Sequence, residues 1–249
     1  MNSKIAIIGA GASGLICAIV ATRLGKDVTI FEQNSNIGKK LKVTGNGRCN
    51  ISNENLDISN YQSGDIDMVS NILKNFDISH TKNFFNSIGL ELTTDKKKFR
   101  LYPKTLQAKT VINLLQIELD RLNISVKLSS KIKTIKIKNN HFELKTSKNI
   151  IYSFDKVVIA TGSKASSKLG SNSSGYILAN QLKHNITDIY PSLVALKSDF
   201  KYLKQLSGIK IDAKVTLLKD GKIYQRQTSK KSTKISTQIK QRVVDRSCK

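Results

Sequence analysis

The chain has 249 residues and a formal net charge of +24 at pH 7, a length that can bury a sizeable core and hold one large or two small domains. It has no run of about eighteen apolar residues and no basic leader with a cleavage site, which excludes a predicted transmembrane helix and a signal peptide, so we expect a cytoplasmic protein without a membrane partner. Its 3 cysteines are scattered and form no CxxC pair, which excludes a disulfide framework, a zinc site and a dithiol reductase.

The first predicted elements are a strand over Lys4–Ile8, a helix over Ala12–Leu24 and a second strand over Val28–Phe31. Between the first strand and the helix lies Gly-Ala-Gly-Ala-Ser-Gly, residues 9–14. Its first glycine permits a tight turn, its second lets backbone approach a pyrophosphate, and its third lets the helix pack closely on the sheet. Glu32 follows the second strand and can accept hydrogen bonds from both hydroxyls of an adenosine ribose. The pattern predicts a bound dinucleotide; the alternative is a turn that only packs.

The next part of the chain is predicted to hold a long loop, three helices and a hairpin. Residues 35–60 are rich in Gly, Asn, Ser and Lys, and long loops in compact domains are usually functional. Apolar spacing and turn residues predict helices over Met68–Phe76 and Thr81–Ile88, the second capped by Ser79 and ended by Gly89, a hairpin of Glu91–Thr94 and Phe99–Tyr102, and an amphipathic helix over Gln107–Leu122.

After residue 122 the apolar period changes from that of a helix to that of a strand. The predicted elements are a parallel strand over Ser125–Leu128, a meander from Ile132 through Phe142–Thr146 to Ile150–Phe154, a buried parallel strand over Lys156–Ala160 and a helix over Ser174–Leu182. The Ala-Thr-Gly that ends the last strand is a second place where backbone can lie against a cofactor. Residues 1–191 are therefore predicted to form an α/β, Rossmann-like domain with a parallel sheet and an antiparallel meander.

Residues 192–224 are predicted to begin a second, β-rich domain. Strands are expected over Val194–Leu196 and Lys210–Leu218, with a turn at Lys219-Asp220-Gly221. About thirty residues cannot close a sheet over their own core, so this domain is expected to be incomplete. Residues 225–249 are basic, lack an apolar period and are predicted to be disordered. The abrupt change favours a truncated or frameshifted gene product.

Five blocks, taken in order, resemble one family of bacterial flavoproteins, the BaiN/YhiN-like NAD(P)/FAD-dependent oxidoreductases, some of whose members are labelled aminoacetone-oxidase-like. The blocks are IAIIGAGASGL, KVTGNGRCNISN, KKFRLYPKTLQAKTV, KVVIATGS and LGSNSSGYILANQLKHNITDIYPSLVALKSD. TGNGRCN is the specific one, because generic Rossmann proteins lack it. The resemblance covers about residues 1–222.

The resemblance implies a glutathione-reductase-like FAD domain, interrupted by an inserted β-barrel-like substrate domain. It also implies hydride transfer from NAD(P)H to a small organic substrate through FAD. The residues implied to bind FAD are Gly9, Gly11, Ala12, Ser13, Gly14, Glu32, Gln33, Lys40, Thr44, Gly45, Arg48, Cys49, Asn50, Ile132, Ala160, Thr161 and Gly162.

The catalytic residues stay unassigned at this point. Cys49 could be a redox partner of the flavin or a small residue packed beside the ring. The histidines, His80, His141 and His184, form no recognisable catalytic arrangement. No metal site is expected.

Two departures from the family pattern bear on function. Gly162-Ser163-Lys164-Ala165 stands where the family usually has Gly-Gly followed by an aromatic residue and a proline, and after Gly221 the family's next block is missing. Without the carboxy-terminal return to the FAD domain, the chain could bind ADP yet hold the flavin poorly. A non-catalytic remnant is therefore an alternative to an active oxidoreductase.

The positive charge supports a third hypothesis, an RNA-associated flavoprotein. The lysines are spread along the chain together with many Asn, Ile and Ser residues, which a coding bias explains as readily as a binding face. No RNA-binding signature accompanies them. We therefore expect a small-molecule substrate and no specific nucleic-acid partner.

Overall fold

The chain divides into two compact units, residues 1–187 and 188–249; the sequence places the corresponding boundary at residue 191. The computed structural model describes residues 3–61, 63–190, 201, 202 and 205, and the backbone of two further strands over residues 210–219 and 222–234. The predicted break at Pro191, the strand Val194–Leu196 and the turn residues Asp220 and Gly221 lie outside the described residues.

The first unit contains five α-helices and ten strands among its described residues. In chain order they are β1 (Lys4–Ile8), α1 (Ala12–Arg23), β2 (Asp27–Phe31), β3 (Ser52–Asn53), α2 (Ile66–Asn75), α3 (Ile78–Ser87), β4 (Leu92–Asp95), β5 (Arg100–Pro103), α4 (Ala108–Arg121), β6 (Ser125–Lys127), β7 (Ile132–Lys138), β8 (His141–Thr146), β9 (Ile151–Phe154), β10 (Lys156–Ile159) and α5 (Ser174–Gln181).

A parallel sheet in the order β10-β1-β2-β6 forms the centre of this unit. β1 lies between two parallel neighbours, with Ile7 opposite Val158 of β10 and Ile30 of β2. A strand with parallel neighbours is usually covered on both faces, which explains its continuous apolar sequence. Strands β7, β8 and β9 form an antiparallel meander, and β3, β5 and β4 a small antiparallel sheet. The predicted α/β class with parallel and antiparallel sheets is confirmed.

Alternate side chains of β1 belong to two different cores. Ile7 packs on one face of the sheet with buried residues of α1 and α4, such as Leu15 and Leu115. Ala6 packs on the other face with the meander and α5, whose Leu178 is fully buried there. Because strand side chains point alternately to opposite faces, one short strand anchors three layers. This packing places the carboxyl ends of β1 and β2 side by side, next to the start of α1.

The structure differs from two local predictions. Helix α3 begins at Ile78 and is capped by Asp77, not by Ser79, because the Asp77 carboxylate accepts hydrogen bonds from the His80 backbone at 3.0 Å and from the Ser79 hydroxyl at 2.6 Å. A carboxylate at this position satisfies a free amide of the first turn, and Ser79 becomes part of the helix. The short strand β3, inside the predicted loop 35–60, pairs with β5.

The second unit contains a long antiparallel hairpin, β11 (Lys210–Lys219) and β12 (Lys222–Lys234). Strand β12 extends into residues 225–234, for which the sequence predicts disorder. Backbone pairing with β11 explains the difference, since a hairpin partner supports a strand that carries many lysines and little apolar period. Residues 235–249 of the predicted tail lie outside the described part of the chain.

A buried carboxylate joins α1 to α4. Glu118 of α4 is 5% exposed. It accepts hydrogen bonds from Arg121 at 2.7 and 2.8 Å and from Arg23 of α1 at 2.7 and 3.1 Å. The hydrogen bonds from Arg121 and Arg23 lower the pKa of Glu118 from its ordinary 4.5 to about 2, against the opposing effect of burial. Glu118 is thus ionised in the folded protein near neutral pH.

Replacing Glu118 by glutamine is expected to lower the free energy of unfolding by about 1.5–3 kcal/mol at neutral pH, because two guanidinium groups lose their charged acceptor. The folded pKa lies below the unfolded one, so this contribution is present above about pH 4.5 and is lost as the pH falls through about 2. Denaturant unfolding across that range measures it. Glu91→Gln, which breaks an exposed ion pair with Lys104, is the control and should change little. Equal unfolding curves for E118Q and the wild type would contradict the expectation.

Candidate functional site

The glycine-rich turn lies where β1 ends and α1 begins. Gly9 has φ +112°, and a Cβ atom there would come 2.5 Å from the carbonyl oxygen of Ala160, just after β10. A Cβ on Gly14 would overlap the Gly9 carbonyl oxygen. In contrast, a Cβ on Gly11 would meet no atom within 4 Å. Two glycines therefore allow close packing of strand and helix, and Gly11 leaves open space at the start of α1.

A pocket opens in front of this turn. The predicted site residues that line it are Gly9, Gly11, Glu32, Gln33, Lys40, Ile132, Ala160 and Thr161. Apolar side chains of β1, β2 and α5 form part of its wall, including Ile8, Phe31 and Leu178. The fold thus brings the turn, the acid after β2, the start of β7 and the end of β10 together around one cavity.

Glu32 is the buried acid of this pocket, 7% exposed. Its carboxylate accepts three hydrogen bonds: from the Ala10 backbone at 2.8 Å, from the Asn34 backbone at 2.8 Å and from the Asn34 side-chain amide at 2.6 Å. A carboxylate has about four acceptor positions. Glu32 therefore has room for about one further donor. The sequence, in contrast, predicts that it accepts hydrogen bonds from both hydroxyls of a ribose.

Positive charge lies near the turn. Lys39 and Lys40 line the pocket, and a Cβ on Gly162 would come 2.9 Å from the Lys40 ammonium. Helix α1 has no acidic residue in its first turn, and no side chain caps its amino terminus among the described residues. Free amides at a helix amino terminus and nearby lysines together attract an anion. This end of the pocket is suited to a phosphate group.

The loop over residues 44–50 lies elsewhere. Thr44, Cys49 and Asn50 line a second, largely apolar pocket, which Ala12 of α1 also lines. The Arg48 guanidinium lies 5.0 Å from the centre of the Tyr102 ring. Neither Gly45 nor Arg48 lines the first pocket, and neither do Ser13 and Gly14 in the first turn of α1. The structure therefore places part of the predicted set outside the first pocket.

Cys49 is a packing residue in this structure. It is 3% exposed and belongs to the core on the α1 face of the sheet. Burial raises the pKa of its thiol, against a smaller lowering effect of a hydrogen bond with Thr44. A thiol with a raised pKa is a poor nucleophile at neutral pH. Of the two alternatives for Cys49, these observations favour packing over a redox role.

Cys49 is expected to react with a thiol reagent at least tenfold more slowly in the folded protein than in denaturant, because the thiolate is the reactive form. A variant with Cys17→Ala and Cys248→Ser isolates its signal. The same variant unfolded in denaturant serves as the reference for intrinsic reactivity. Rapid labelling of the folded protein would show that Cys49 is an accessible thiolate and would contradict the packing role.

Several lining residues were not predicted. They are Asn34, Lys39, Ser130, Lys131, Leu169, Gly170, Ser171 and Ser174. Asn34 and Lys39 lie close in sequence to Glu32 and Lys40, so proximity could have indicated them. Leu169–Ser174 reaches the pocket only through the tertiary fold. The Ser171 hydroxyl is buried and has no hydrogen-bond partner among the described residues.

Two features are absent from the described residues. No helix in them is long and apolar enough to span a membrane. They also contain no cluster of His, Cys, Asp and Glu side chains that could hold a metal ion.

Comparisons with known proteins relate most of the chain to larger proteins. A sequence model of the HI0933-like protein Rossmann domain matches residues 3–241, whereas the motifs predict a resemblance that ends near residue 222. The chain is 38% identical over 218 residues to a 3-dehydro-bile acid delta(4,6)-reductase of Clostridium scindens, covering 87% of this chain and 53% of that protein. It is 29% identical over 220 residues to a ribosomal RNA dihydrouridine synthase of Haemophilus influenzae, covering 85% and 54%. The chain thus spans about half the length of the curated relatives it matches.

A solved structure shares the fold. The 3-ketosteroid-delta4-(5alpha)-dehydrogenase of Rhodococcus jostii RHA1, solved with 4-androstene-3,17-dione, superposes with a TM-score of 0.50 over 66% of this chain and 46% of that chain. The sequence identity is 15%. At this level the similarity concerns the arrangement of strands and helices.

Proposed function

The chain belongs to the HI0933-like Rossmann domain family, and from this membership we propose that it binds FAD and acts as an oxidoreductase. The membership confirms the family that the motifs predict. The observation that carries the proposal is the first pocket, in which Glu32, the open space at Gly11 and the lysines Lys39 and Lys40 meet.

The residues present fit the ADP part of FAD. The open space at Gly11 leaves room for a diphosphate against the amides of α1, with Lys39 and Lys40 as counter-charges. Glu32 would accept a ribose hydroxyl, and Ile132 would lie beside the adenine. The buried Ser171 hydroxyl is a polar group without a hydrogen-bond partner among the described residues. When bound, FAD would supply reversible acceptance and donation of hydride.

The remaining predicted contacts are part of the proposal. In the family arrangement, Thr44, Gly45, Arg48, Cys49 and Asn50 would lie along the ribityl chain and flavin. Ala12, Ser13 and Gly14 would contact the diphosphate through the first turn of α1, and Gly162 would cover the cofactor beside Lys40. A buried Cys49 would then contribute packing beside the flavin.

The substrate proposal draws on the chemistry that two relatives' names share. A 3-dehydro-bile acid delta(4,6)-reductase and a ribosomal RNA dihydrouridine synthase both saturate a carbon–carbon double bond conjugated with a carbonyl group. We therefore propose the same bond change here: a hydride from NAD(P)H and a proton from solvent add across such a bond, and NAD(P)⁺ is released. The relative with 38% identity favours a small-molecule substrate.

A second candidate function is the reduction of uracil in RNA. Two relatives named ribosomal RNA dihydrouridine synthase, at 29% and 26% identity, support it, and so does the net charge of +24. Lysine-rich surfaces attract the phosphate backbone. This candidate differs from the expectation of no specific nucleic-acid partner, and its test is reduction of uridine in RNA with a free nucleoside as control.

The first test of the proposed function is FAD binding by the purified protein. A flavin spectrum after purification or after incubation with FAD and removal of excess is expected. A protein that stays colourless would contradict the proposal. NADH or NADPH oxidation is then compared with a 3-oxo-4-ene steroid and with RNA as acceptors, since turnover with one and not the other separates the two candidate substrates.

A further inference from the structure

The segment Leu169–Ser174 is held directly beside the acid of the first pocket. The Gln33 side-chain amide donates a hydrogen bond to the carbonyl of Gly170 at 2.8 Å. The Asn172 amide donates to the Gln33 side-chain oxygen at 3.0 Å. Because Gln33 follows Glu32 in sequence, these bonds fix the segment next to the adenosine end of the pocket.

Ser171 lies in the middle of this segment and lines the pocket. Its hydroxyl is buried and has no hydrogen-bond partner in the described part of the chain. Its neighbours on both sides are engaged, Gly170 through its carbonyl and Asn172 through its amide. A buried hydroxyl without a partner is unfavourable, and proteins rarely keep one that nothing satisfies.

Glu32 leaves one ribose hydroxyl without an acceptor. Its carboxylate already accepts three bonds from Ala10 and Asn34, out of about four positions. A ribose presents two hydroxyls, each of which needs a partner once it is buried. The pocket therefore needs a second polar group near Glu32, and Ser171, which lines the pocket, has a hydroxyl without a partner among the described residues.

We propose that Ser171 is a nucleotide-binding residue whose hydroxyl turns into the pocket by rotation about its Cα–Cβ bond and pairs with the adenosine ribose hydroxyl that Glu32 does not accept. This inference rests on the proposed binding of FAD. Ser171 makes no hydrogen bond that its removal from the free protein would break. Its role is therefore separable from folding: loss of the hydroxyl weakens the ligand and leaves the free protein intact.

The test is calorimetric titration of the full chain with ADP and with FAD. Ser171→Ala is expected to weaken both ligands about fivefold to thirtyfold, the effect of one buried hydrogen bond. Without ligand, the free energy of unfolding of the variant should equal that of the wild type or be slightly higher. Ser167→Ala, an exposed serine in the same connection that does not line the pocket, is the matched control and should change neither property.

Ligands that lack one hydroxyl locate the contact. Wild-type protein should bind either 2′-deoxy-ADP or 3′-deoxy-ADP more weakly than ADP, and for one of them Ser171→Ala should cause no additional loss. If Ser171→Ala weakened the binding of both deoxy ligands as much as it weakens ADP, the proposed pairing would be wrong. Unchanged ADP affinity in Ser171→Ala, with FAD bound by the wild type, would overturn the role of Ser171 alone. A wild type that binds neither ADP nor FAD would overturn this inference together with the proposed function.

Discussion

Replacing Gly14 by alanine is expected to destabilise the first unit by about 2–3 kcal/mol, and replacing it by valine should prevent folding. The added Cβ would overlap the Gly9 carbonyl oxygen and come 3.3 Å from the Ala160 side chain. Backbone cannot move aside as a flexible side chain does, so α1 must shift. That helix carries the fully buried Leu15 and Ile19, and their packing would be lost with the shift. The gain of about 1 kcal/mol in helix propensity is smaller than this cost.

Denaturant unfolding followed by circular dichroism measures the effect of the Gly14 variants. Gly64→Ala is the matched control, because a Cβ on Gly64 would meet no atom within 4 Å and the loop is exposed. The control should unfold like the wild type. A Gly14→Ala protein as stable as this control would show that α1 and β1 are not packed as closely as the structure has them.

Replacing Gly11 by alanine is expected to weaken FAD binding about tenfold to a hundredfold with little change in stability. The added Cβ meets no protein atom, so the free protein accommodates it. The backbone of Gly11 is extended, with φ −84° and ψ −173°, which alanine also adopts. The Cβ projects into the space that the proposed diphosphate needs. Gly11 and Gly14 therefore carry opposite expectations for the same change.

Titration with FAD, next to unfolding of the free protein, separates the two effects for Gly11→Ala. Gly64→Ala again provides the reference for a glycine-to-alanine change without consequence. Gly11→Val should bind still more weakly than Gly11→Ala. If Gly11→Ala bound FAD as tightly as the wild type, the diphosphate would not lie against this turn, and the assignment of the first pocket would be wrong.

Local patterns predicted the elements that surround the first pocket. The spacing from Gly9 to Glu32 predicted the strand, the turn, the helix and the second strand in the order that the structure has. Each of these elements depends mainly on residues close to it in sequence. Ile132 and Ala160, which the family resemblance assigns to the cofactor, also line the pocket; Ile132 begins β7 and Ala160 follows β10. The parallel sheet itself follows from the short apolar runs of β1 and β10.

The missed features depend on distant parts of the chain. Gln33 meets Gly170 across 137 residues of sequence, and no local pattern of either segment indicates that pairing. The number of donors already bound to Glu32 depends in the same way on the folded turn. The prediction for the cap of α3 was wrong for a local reason. Asp77 and Ser79 are both good capping residues, and the structure has Asp77 as the cap.

The central position of β1 has a consequence for synthesis. Its edge toward β2 can pair early, but its other partner, β10, is residues 156–159 and leaves the ribosome much later. At 5–20 residues per second the delay is on the order of ten seconds. During that interval an apolar strand edge is exposed and can pair with a neighbouring nascent chain. We expect the yield of native protein to depend on chaperones that cover this edge until β10 emerges.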